Sequence, residues 1–339
     1  TKATGVAAGV WSSGGNLNTA RNQAEGAGSQ TAAIACGGLN ASPPAGHVIT
    51  ESYNGTAWSE VADLPAARHE HEVTGTQTSA ITAGGYPNIT PTESWNGTAW
   101  SETAEINTGR ASGAAAGATN QAALLFLGQH PMKVNTELYN GTCWSEVADL
   151  TLGRINAFGT GSSTAAICVG GGIPPGVYAG ETEIWNGTAW TEVADLNTDR
   201  FAGGAAGIST AAIVYAGTTG SVSALAESWD GTSWTEVGDM ATARSEIGGV
   251  VGTSASNSLA LAIGGGPPFT AATEEWTAAT ITDTIINEGQ VYFNTATELL
   301  KFTKNVLGTG AWASGANINS ARSEFGGGAG TQSAFLIFG

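Results

Sequence analysis

Every arginine of this chain lies ten residues after a tryptophan. The first six arginines follow one another at intervals of 42 to 47 residues, and the last interval is 78 residues. A period of this length is typical of propeller blades and is far longer than a leucine-rich repeat. The chain is therefore a repeat array with an insertion before its last unit. The pairs are Trp11/Arg21, Trp58/Arg68, Trp100/Arg110, Trp144/Arg154, Trp190/Arg200, Trp234/Arg244 and Trp312/Arg322.

Lysine never occupies the arginine position of the repeat. The guanidinium group of arginine is planar and presents five N–H donors in a fixed fork, which suits hydrogen bonds to carbonyl and carboxylate groups. We expect these bonds to join neighbouring blades. The repeated arginines and tryptophans are accordingly interpreted as structural residues and not as residues of a reaction.

Each unit carries the signals of four strands. A Gly/Ala-rich stretch is followed by an apolar run that ends in glycine, such as TAAIACGG, and then by a strand that ends in Glu-x-Tyr or Glu-x-Trp. A two-residue Asn-Gly or Asp-Gly turn, which predicts a type I′ hairpin, leads to a strand that begins at the tryptophan. The aromatic residue five positions before each tryptophan predicts a cross-strand aromatic pair. The turns begin at Asn54, Asn96, Asn140, Asn186 and Asp230.

Four strands per unit predict an all-β fold, a β-propeller of six four-stranded blades. The strand at Trp11 precedes the first blade and has no partner of its own, whereas the blade that begins at Arg244 reaches Trp276 without a fourth strand. We expect the N-terminal strand to complete that blade and close the ring, because closure removes two open sheet edges. The alternative is a ring of seven blades, in which residues 322–339 form half of the seventh.

The pattern predicts three regions along the chain. Residues 1–276 form the propeller, residues 277–311 a β-rich linker or small hairpin unit, and residues 312–339 the start of a second propeller or part of a seventh blade. The second region is richer in β-branched and aromatic residues than the repeats. The segment around Trp312 mirrors the N-terminal segment around Trp11 more closely than any internal connector does. A C-terminal β extension therefore follows the ring.

The repeated motifs resemble kelch repeats: glycines after an apolar strand, Glu-x-Tyr or Glu-x-Trp in the next strand, and the tryptophan that closes the hairpin. This resemblance covers residues 11–276. The wording NGTAWSEVADL is similar to kelch-like proteins of marine bacteriophages, and GQVYFNTATELLKF resembles a short element that is frequent in phage tail and fibre proteins. The resemblance implies a virion component, a tail or capsid appendage on the particle surface, which assembles with other virion proteins.

The composition excludes some partners. The net charge is −17, and only 12% of the residues are charged. The chain has four lysines, Lys2, Lys133, Lys301 and Lys304. A phosphate backbone is therefore not an expected partner, and no apolar run is long enough for membrane insertion. We expect a homo-oligomer.

Two patterns in the sequence contain residue types that bind metal ions. In a strand, His69 and His71 would share one face, as would Glu70 and Glu72, but no third ligand for a metal is identifiable, so no metal is predicted and these histidines are only candidates. Carboxylate pairs follow the hairpins, and some are expected to pair with the repeated arginines. The five pairs would form a ring on one face that could collect calcium, but calcium needs more oxygen ligands than one pair supplies, so no cofactor is predicted and calcium stays an alternative. The pairs are Glu60/Asp63, Glu102/Glu105, Glu146/Asp149, Glu192/Asp195 and Glu236/Asp239.

The loops between second and third strands vary most from unit to unit, as in YPNITPT and QHPMKVNT. A rigid ring that presents dissimilar loops is typical of a recognition surface. We therefore expect a non-catalytic structural and binding module that contacts host-surface glycans or neighbouring virion proteins. The loop residues expected to bind are Tyr86, Tyr178, Phe269, His47 and His130.

Two alternatives remain open. The first is a glycan-active enzyme that uses carboxylates of the innermost strands in the central channel, since glycoside hydrolysis needs two carboxyl groups at a defined separation. The second is a bacterial surface adhesin or filament subunit built on the same propeller. The carboxylates of the enzyme hypothesis are Glu25, Glu70, Glu72 and Glu246.

Overall fold

The computed structural model describes residues 9–40, 46–129, 131–252, 256–279, 291–294, 299–302, 327–331 and 334–338. The chain divides into two compact units, Thr1–Ile281 and Thr282–Gly339. All regular structure in the described residues is β, and none of them forms a helix of the length and hydrophobicity needed to cross a membrane.

The described residues of the first unit form 24 strands, most of which fall into groups of four that follow one another along the chain. In chain order they are β1 (Val10–Ser13); β2 (Glu25–Ser29), β3 (Ala32–Cys36), β4 (Thr50–Tyr53) and β5 (Trp58–Glu60) in blade 1; β6 (Glu72–Thr76), β7 (Ser79–Ala83), β8 (Thr92–Trp95) and β9 (Trp100–Glu102) in blade 2; β10 (Ala114–Thr119), β11 (Ala122–Phe126), β12 (Thr136–Tyr139) and β13 (Trp144–Val147) in blade 3; β14 (Phe158–Ser162), β15 (Ala165–Ile173), β16 (Val177–Trp185) and β17 (Trp190–Glu192) in blade 4; β18 (Gly204–Ile208), β19 (Ala211–Tyr215), β20 (Ala226–Trp229) and β21 (Trp234–Glu236) in blade 5; and β22 (Gly248–Gly252), β23 (Leu259–Ile263) and β24 (Thr273–Thr277) in blade 6.

Each blade is an antiparallel sheet whose strands run outward in chain order. The innermost strands of successive blades are neighbours, and that of blade 6 returns to blade 1. The outermost place of blade 6 is filled by β1, with Trp11 opposite Trp276. The unit is a closed, six-bladed β-propeller, so the predicted ring and its closure by the N-terminal strand are confirmed, and the seven-blade alternative is wrong.

The second unit contains two hairpins among its described residues. They are β25 (Val291–Asn294) with β26 (Leu299–Phe302), and β27 (Gly327–Thr331) with β28 (Ala334–Phe338). The predicted C-terminal β extension is thus confirmed. Trp312 and Arg322 lie outside the described residues, and the start of a second propeller at residue 312 stays a prediction.

The core of the ring lies between adjacent blades. In the layer between blades 1 and 2, for example, Ile34 and Cys36 pack in one cluster with Val73 and Trp95. Near the axis the innermost strands approach so closely that side chains must be small. A Cβ on Gly159 of blade 4 would lie 2.6 Å from the carbonyl oxygen of Ala115 in blade 3. This convergence explains why each repeat is rich in glycine and alanine where it nears the axis.

The repeated arginine forms a buried ion pair with the glutamate of the third strand. Arg110, for example, also donates to the carbonyl oxygens of Leu127 at 3.0 Å and Asn135 at 2.8 Å, both in its own blade. The expectation that the guanidinium groups join neighbouring blades is therefore wrong for these six arginines, although their backbone carbonyls do so, as Arg110 does by accepting the N–H of Gly85 in blade 2. The expectation that the guanidinium groups pair with carboxylates after the hairpins is also wrong for these six. The pairs are Arg21–Glu51 (2.5 Å), Arg68–Glu93, Arg110–Glu137 (2.6 Å), Arg154–Glu183 (3.0 Å), Arg200–Glu227 (2.8 Å) and Arg244–Glu274 (2.9 Å).

The glutamates of five of these pairs make a second hydrogen bond through Oε2, whereas Oε2 of Glu93 has no partner among the described residues. Oε2 of Glu137 accepts the backbone N–H of Asn107 at 2.7 Å, in the connector that arrives from blade 2. The same bond is made to Glu51 by Asn18 and to Glu227 by Asn197. The ion pair thus fixes the end of the incoming connector onto the third strand of its own blade.

Four of the outermost-strand tryptophans, Trp58, Trp100, Trp190 and Trp234, donate hydrogen bonds to threonines of the preceding blade. Nε1 of Trp100 donates to Oγ1 of Thr50 in the preceding blade at 3.1 Å, and Nε1 of Trp190 donates to Oγ1 of Thr136 at 3.0 Å. The outermost-strand tryptophans of blades 1 to 5 also face the aromatic residue directly across their hairpins, which confirms the five predicted pairs, and Trp11 faces Trp276 where the ring closes. Ring centroids are 4.9 to 5.6 Å apart in the pairs Tyr53/Trp58, Trp95/Trp100, Tyr139/Trp144, Trp185/Trp190, Trp229/Trp234 and Trp276/Trp11.

The hairpin turn differs from the prediction. Tyr53 is opposite Trp58, so four residues and not two connect the strands, and only Gly55 of the turn has a positive φ, at 88°. Oδ1 of Asn54 accepts the backbone N–H groups of Thr56 and Ala57, both at 2.9 Å. The type I′ prediction was wrong because the asparagine works through its side chain, as in an Asx-turn, and not through a left-handed backbone.

Candidate functional site

The two faces of the propeller carry different connections. The upper face holds the loops between second and third strands, the connectors that lead from each outermost strand to the next arginine, and the residues before each innermost strand. The lower face holds the Asn-Gly turns and the turns after the innermost strands. Because the variable loops lie on the upper face, this face is the candidate binding surface.

Six residues surround the channel at the upper face, and we call them the rim. Each lies two positions after a repeated arginine and has a left-handed backbone although none is glycine. Their backbones are hydrogen bonded from blade to blade: the N–H of Ser112 donates to Glu70 at 2.9 Å, and that of Asn156 donates to Ser112 at 2.8 Å. Three more bonds of this kind continue around the ring. The rim residues and their φ angles are Gln23 (51°), Glu70 (52°), Ser112 (54°), Asn156 (49°), Ala202 (58°) and Glu246 (49°).

The rim opens into a cavity at the upper end of the channel. The cavity has a volume of about 70 Å³, which is room for about five waters. All four carboxylates of the enzyme hypothesis line it. Glu25 and Glu72 are the first residues of innermost strands, as expected, whereas Glu70 and Glu246 precede those strands and belong to the rim.

The innermost strand of blade 6 narrows the channel below this cavity. Besides its neighbours, β22 contacts the innermost strands of blades 3 and 4 on the far side of the axis. Gly252 is paired with both Gly28 of blade 1 and Gly75 of blade 2. The backbone of β22 therefore occupies space in the lower channel, and the cavity is a pocket of the upper face.

The surroundings of the cavity disfavour the ionised form of three of its carboxyl groups. Burial, reinforced by Glu72, raises the pKa of Glu25 well above its usual value. Burial likewise raises the pKa of Glu72 to about 8, with Glu70 adding to the effect and Arg110 and a hydrogen bond from the Gly113 N–H opposing it. Burial also raises the pKa of Glu246. At neutral pH the carboxyl group of Glu72 is thus largely protonated.

The two rim carboxylates accept hydrogen bonds from amide and hydroxyl groups. Oε2 of Glu70 accepts from Oγ of Ser112 at 2.8 Å and from Nε2 of Gln129 at 2.5 Å. Oε2 of Glu246 accepts from Nδ2 of Asn22. No lysine or arginine is among the described residues that line the cavity. The site is therefore rich in acceptors and poor in donors.

The candidate metal ligands His69 and His71 have different surroundings. The imidazole of His69 stacks on the ring of Tyr86 at the surface, with centroids 5.1 Å apart. His71 is 1% exposed and lines the cavity, and its Nε2 lies 3.7 Å from Sγ of Cys36. Burial, and then the charge of Arg68, lower the pKa of His71 well below its usual value, so the ring is neutral.

The structure places the carboxylate pairs after the hairpins on the exposed edge of the upper face. Asp63 accepts the backbone N–H of Thr50 at 3.3 Å, and Asp149 accepts that of Thr136 at 3.2 Å. These contacts hold the start of each third strand. Across the part of the chain that the structure describes, no three His, Cys, Asp or Glu side chains are grouped as metal ligands.

Two stacked aromatic pairs lie next to the rim. His69, which stacks on Tyr86, directly precedes Glu70, and Phe201, which stacks on Tyr178 at 5.3 Å, directly precedes Ala202. The two rim positions belong to blades 2 and 5, which face each other across a six-bladed ring. Tyr86 is 52% exposed. The structure therefore brings two predicted tyrosines to opposite sides of the cavity.

The other predicted loop residues are less central. Phe269 is 39% exposed in the loop of blade 6. His47 is half-buried, and its backbone forms a bridge with Arg68. His130 lies outside the described residues.

Sequence reasoning missed the rim as a unit, together with Gln129 and Phe201. Side chains at the rim positions range from alanine to glutamate, so no residue type recurs there. The one available signal was positional: each rim residue lies two positions after the repeated arginine. Aligning the repeats on the arginine would have placed the six rim residues at one equivalent position.

The fold and this face define the class of the protein as a six-bladed β-propeller with a polar cavity at one end of its channel. No protein-family model matches the chain, and no curated protein is significantly similar to it.

Proposed function

We propose that the protein is a non-catalytic binding module whose upper face recognises a glycan. The observation that carries this proposal is the pair of aromatic stacks, His69/Tyr86 and Phe201/Tyr178, on opposite sides of a polar cavity. Sugar rings present apolar C–H faces and polar edges. Aromatic rings with one open face suit the former, and convergent carboxylate and amide groups suit the latter.

The stacks are pre-formed, which favours binding. Tyr86 follows the second strand of blade 2, and its backbone N–H donates to the carbonyl oxygen of His69 at 3.0 Å. Tyr178 lies in β16, where it is paired with Gly172 in a long hairpin. Since both rings rest on ordered backbone, less side-chain freedom is lost when a ligand docks.

A glycan array tests this proposal. The wild-type chain is compared with the double variant Tyr86→Ala/Tyr178→Ala and with Ile208→Ala/Leu259→Ala, a control that removes exposed apolar side chains of the lower face. We expect binding by wild type and control, and about a tenfold or greater loss in the tyrosine variant. Binding that the tyrosine variant retains in full, or an array with no signal, would overturn the proposal.

We further propose that this module is part of a phage virion, as a tail or capsid appendage in contact with neighbouring virion proteins and with host-surface glycans, and that it assembles as a homo-oligomer. The resemblance of NGTAWSEVADL to kelch-like phage proteins supports this, and a six-bladed propeller is compatible with kelch repeats. Mass spectrometry of purified particles should detect the chain. Its presence in a cell-envelope fraction and absence from particles would favour the adhesin or filament alternative.

One observation favours the enzyme alternative. Glu72, whose pKa is raised to about 8, lines the same cavity as Glu70 on the rim, so a carboxylic acid at neutral pH lies near a second carboxyl group there. Glycosidases use such a pair. Release of reducing ends from an array ligand, abolished in Glu72→Gln, would support catalysis, and an intact ligand after prolonged incubation would count against it.

A further inference from the structure

We propose that the cavity inside the rim binds the protonated amine of an amino sugar. The inference rests on the proposed glycan-binding function and deepens it: the recognised glycan carries an unacetylated amino group. The amine would lie among Glu25, Glu70, Glu72 and Glu246, while a neighbouring sugar ring lies on one of the aromatic stacks.

The cavity has an excess of acceptors. Its four carboxyl groups come from blades 1, 2 and 6 and converge on one space, with no lysine or arginine among its described lining residues. The nearby Arg21, Arg68 and Arg110 are each paired with a third-strand glutamate. A cation in the cavity would therefore reduce the repulsion among its carboxyl groups.

Independent evidence for a polar ligand comes from buried nitrogen and oxygen atoms that lack partners. His71 lines the cavity, is 1% exposed and neutral, and its Nδ1 has no hydrogen-bond partner among the described residues. Oε1 of Gln23, a rim residue that also lines the cavity, has no partner either. Buried polar atoms without partners are costly, so a donor-bearing ligand that reaches them gains free energy.

An ammonium group fits these acceptors better than a metal ion does. The described acidic side chains are not grouped as metal ligands, and metal ions require several ligands at short, fixed distances. An ammonium group has three N–H donors that can point to separate acceptors. A space of about 70 Å³ suits a small head group and not a whole sugar ring.

The position of the cavity connects the amine to a sugar. Glu70 follows His69 in sequence, and the His69 ring is stacked on Tyr86. A sugar ring on this stack therefore lies beside the rim, and a substituent on its edge can reach Glu70. On the opposite side of the cavity, Ala202 lies next to the Phe201/Tyr178 stack in the same way, but its side chain carries no charge.

Binding should release protons. Glu72 faces Glu25, Glu70 and Arg110, and burial keeps Glu72 and Glu25 protonated to higher pH than usual. An ammonium group among them stabilises the ionised forms and lowers both pKa values. Affinity for the amine should therefore rise with pH up to the point where the amine itself loses its proton.

The test is calorimetric titration of the full chain with three β-1,4-linked tetramers that share one backbone: glucosamine, N-acetylglucosamine and glucose. We expect the glucosamine tetramer to bind about tenfold or more tightly than the other two. Its heat of binding should depend on the ionisation enthalpy of the buffer in the direction of proton release. The variants Glu70→Gln/Glu72→Gln and Glu246→Gln should each weaken glucosamine binding, whereas the exposed control Glu60→Gln/Glu102→Gln should not.

The outcomes separate this inference from the function on which it rests. Equal affinity for all three tetramers, lost in Tyr86→Ala but not in the cavity variants, would overturn the amine site and leave glycan binding in place. Preference for glucosamine that persists in both cavity variants would also overturn it. Failure of all three tetramers to bind would count against both proposals.

Discussion

At the scale of single residues, the same few interactions recur from blade to blade with different residues at equivalent positions. Comparing these positions shows which atom each interaction needs. The Asn-Gly turns show this most directly. Oδ1 of Asn96 accepts hydrogen bonds from the N–H groups of Thr98 and Ala99, and Oδ1 of Asp230 does the same for Thr232 and Ser233. These donors lower the pKa of Asp230, with the side chain of Thr232 as the largest cause.

We therefore predict that Asn96→Asp leaves stability within about 0.5 kcal/mol of wild type at neutral pH, since the oxygen acceptor is retained. Asn96→Ala removes it and should cost about 1 kcal/mol. Chemical denaturation of both variants measures the difference. Equal destabilisation by aspartate and alanine would show that the amide nitrogen, and not Oδ1, matters.

A second residue-scale prediction concerns Glu72. Because its pKa in the folded protein, about 8, lies above its ordinary value of 4.5, the folded state holds a proton that the unfolded state has lost between these values. By linkage, the Glu72 contribution to stability falls as pH rises from 4.5 to 8. His71 has the opposite sign: its depressed pKa costs stability as pH falls below 6.5.

Glu72→Gln should therefore gain stability relative to wild type as pH rises, with a melting temperature several degrees higher at pH 8 than wild type and little advantage near pH 4.5. Thermal melts from pH 4.5 to 9 provide the measurement. A melting-temperature difference that does not change with pH would show that Glu72 titrates normally in the folded state.

The recurring arginine was predictable from sequence as a structural residue, but its partner was not. Two sets of carboxylates recur at fixed spacing, one in the third strand and one after the hairpin. The two sets of carboxylates differ only in burial. Glu137 is 1% exposed beside Arg110, whereas Glu146 is exposed. Spacing along the chain does not encode that burial.

At the scale of strands and blades, stability depends on how neighbouring blades are joined. Outermost-strand tryptophans donate to threonines that begin the third strand of the preceding blade, as in Trp100 to Thr50. The junction between blades 2 and 3 is different. Nε1 of Trp144 and Oγ1 of Thr92 are both buried without a hydrogen-bond partner among the described residues.

We predict that Thr50→Val and Thr136→Val each cost about 1 to 2 kcal/mol, because each leaves a buried tryptophan N–H without its acceptor. Thr92→Val should be neutral or stabilising, since Thr92 makes no such bond. Denaturant unfolding of the three variants gives the comparison. A similar cost at all three positions would mean that the threonine methyl group or another property, and not the hydrogen bond, determines stability.

The sequence allowed the four-strand unit and the aromatic pairs to be predicted, because both follow from local periodicity. The site was only half predictable. The four carboxylates could be named, since they are charged residues in an Ala/Gly-rich stretch, but the rim depends on a backbone conformation that Gln23, Ser112 and Ala202 share without any common side chain. Hydrogen bonds between blades hold that conformation, and the sequence of a single repeat does not indicate them.

At the scale of the whole molecule, ring closure is the property on which the cavity depends, because its lining comes from blades at both ends of the chain. Glu25 follows the first arginine and Glu246 the sixth, and they meet only when β1 pairs with β24. Strand counting predicted this closure from an unpaired N-terminal strand and from a last blade that lacks its fourth strand.

Deletion of residues 1–13 should therefore leave the edge of β24 open, lower the melting temperature and promote aggregation. Deletion of residues 1–8, which ends before β1 begins, is the matched control and should behave as wild type. Thermal melts with light scattering detect both effects. Equal stability of the two deletions would mean that β1 is dispensable for closure.

The most direct test of glycan recognition by the upper face is an NMR titration of the chain with selectively ring-labelled tyrosine, using a glycan that binds on the array. The chain has six tyrosines, of which Tyr53, Tyr139 and Tyr215 are buried in the blades. The account predicts shifts in the ring signals of Tyr86 and Tyr178 and none in those of the three buried rings. Shifts confined to other tyrosines, with Tyr86 and Tyr178 unchanged, would contradict it.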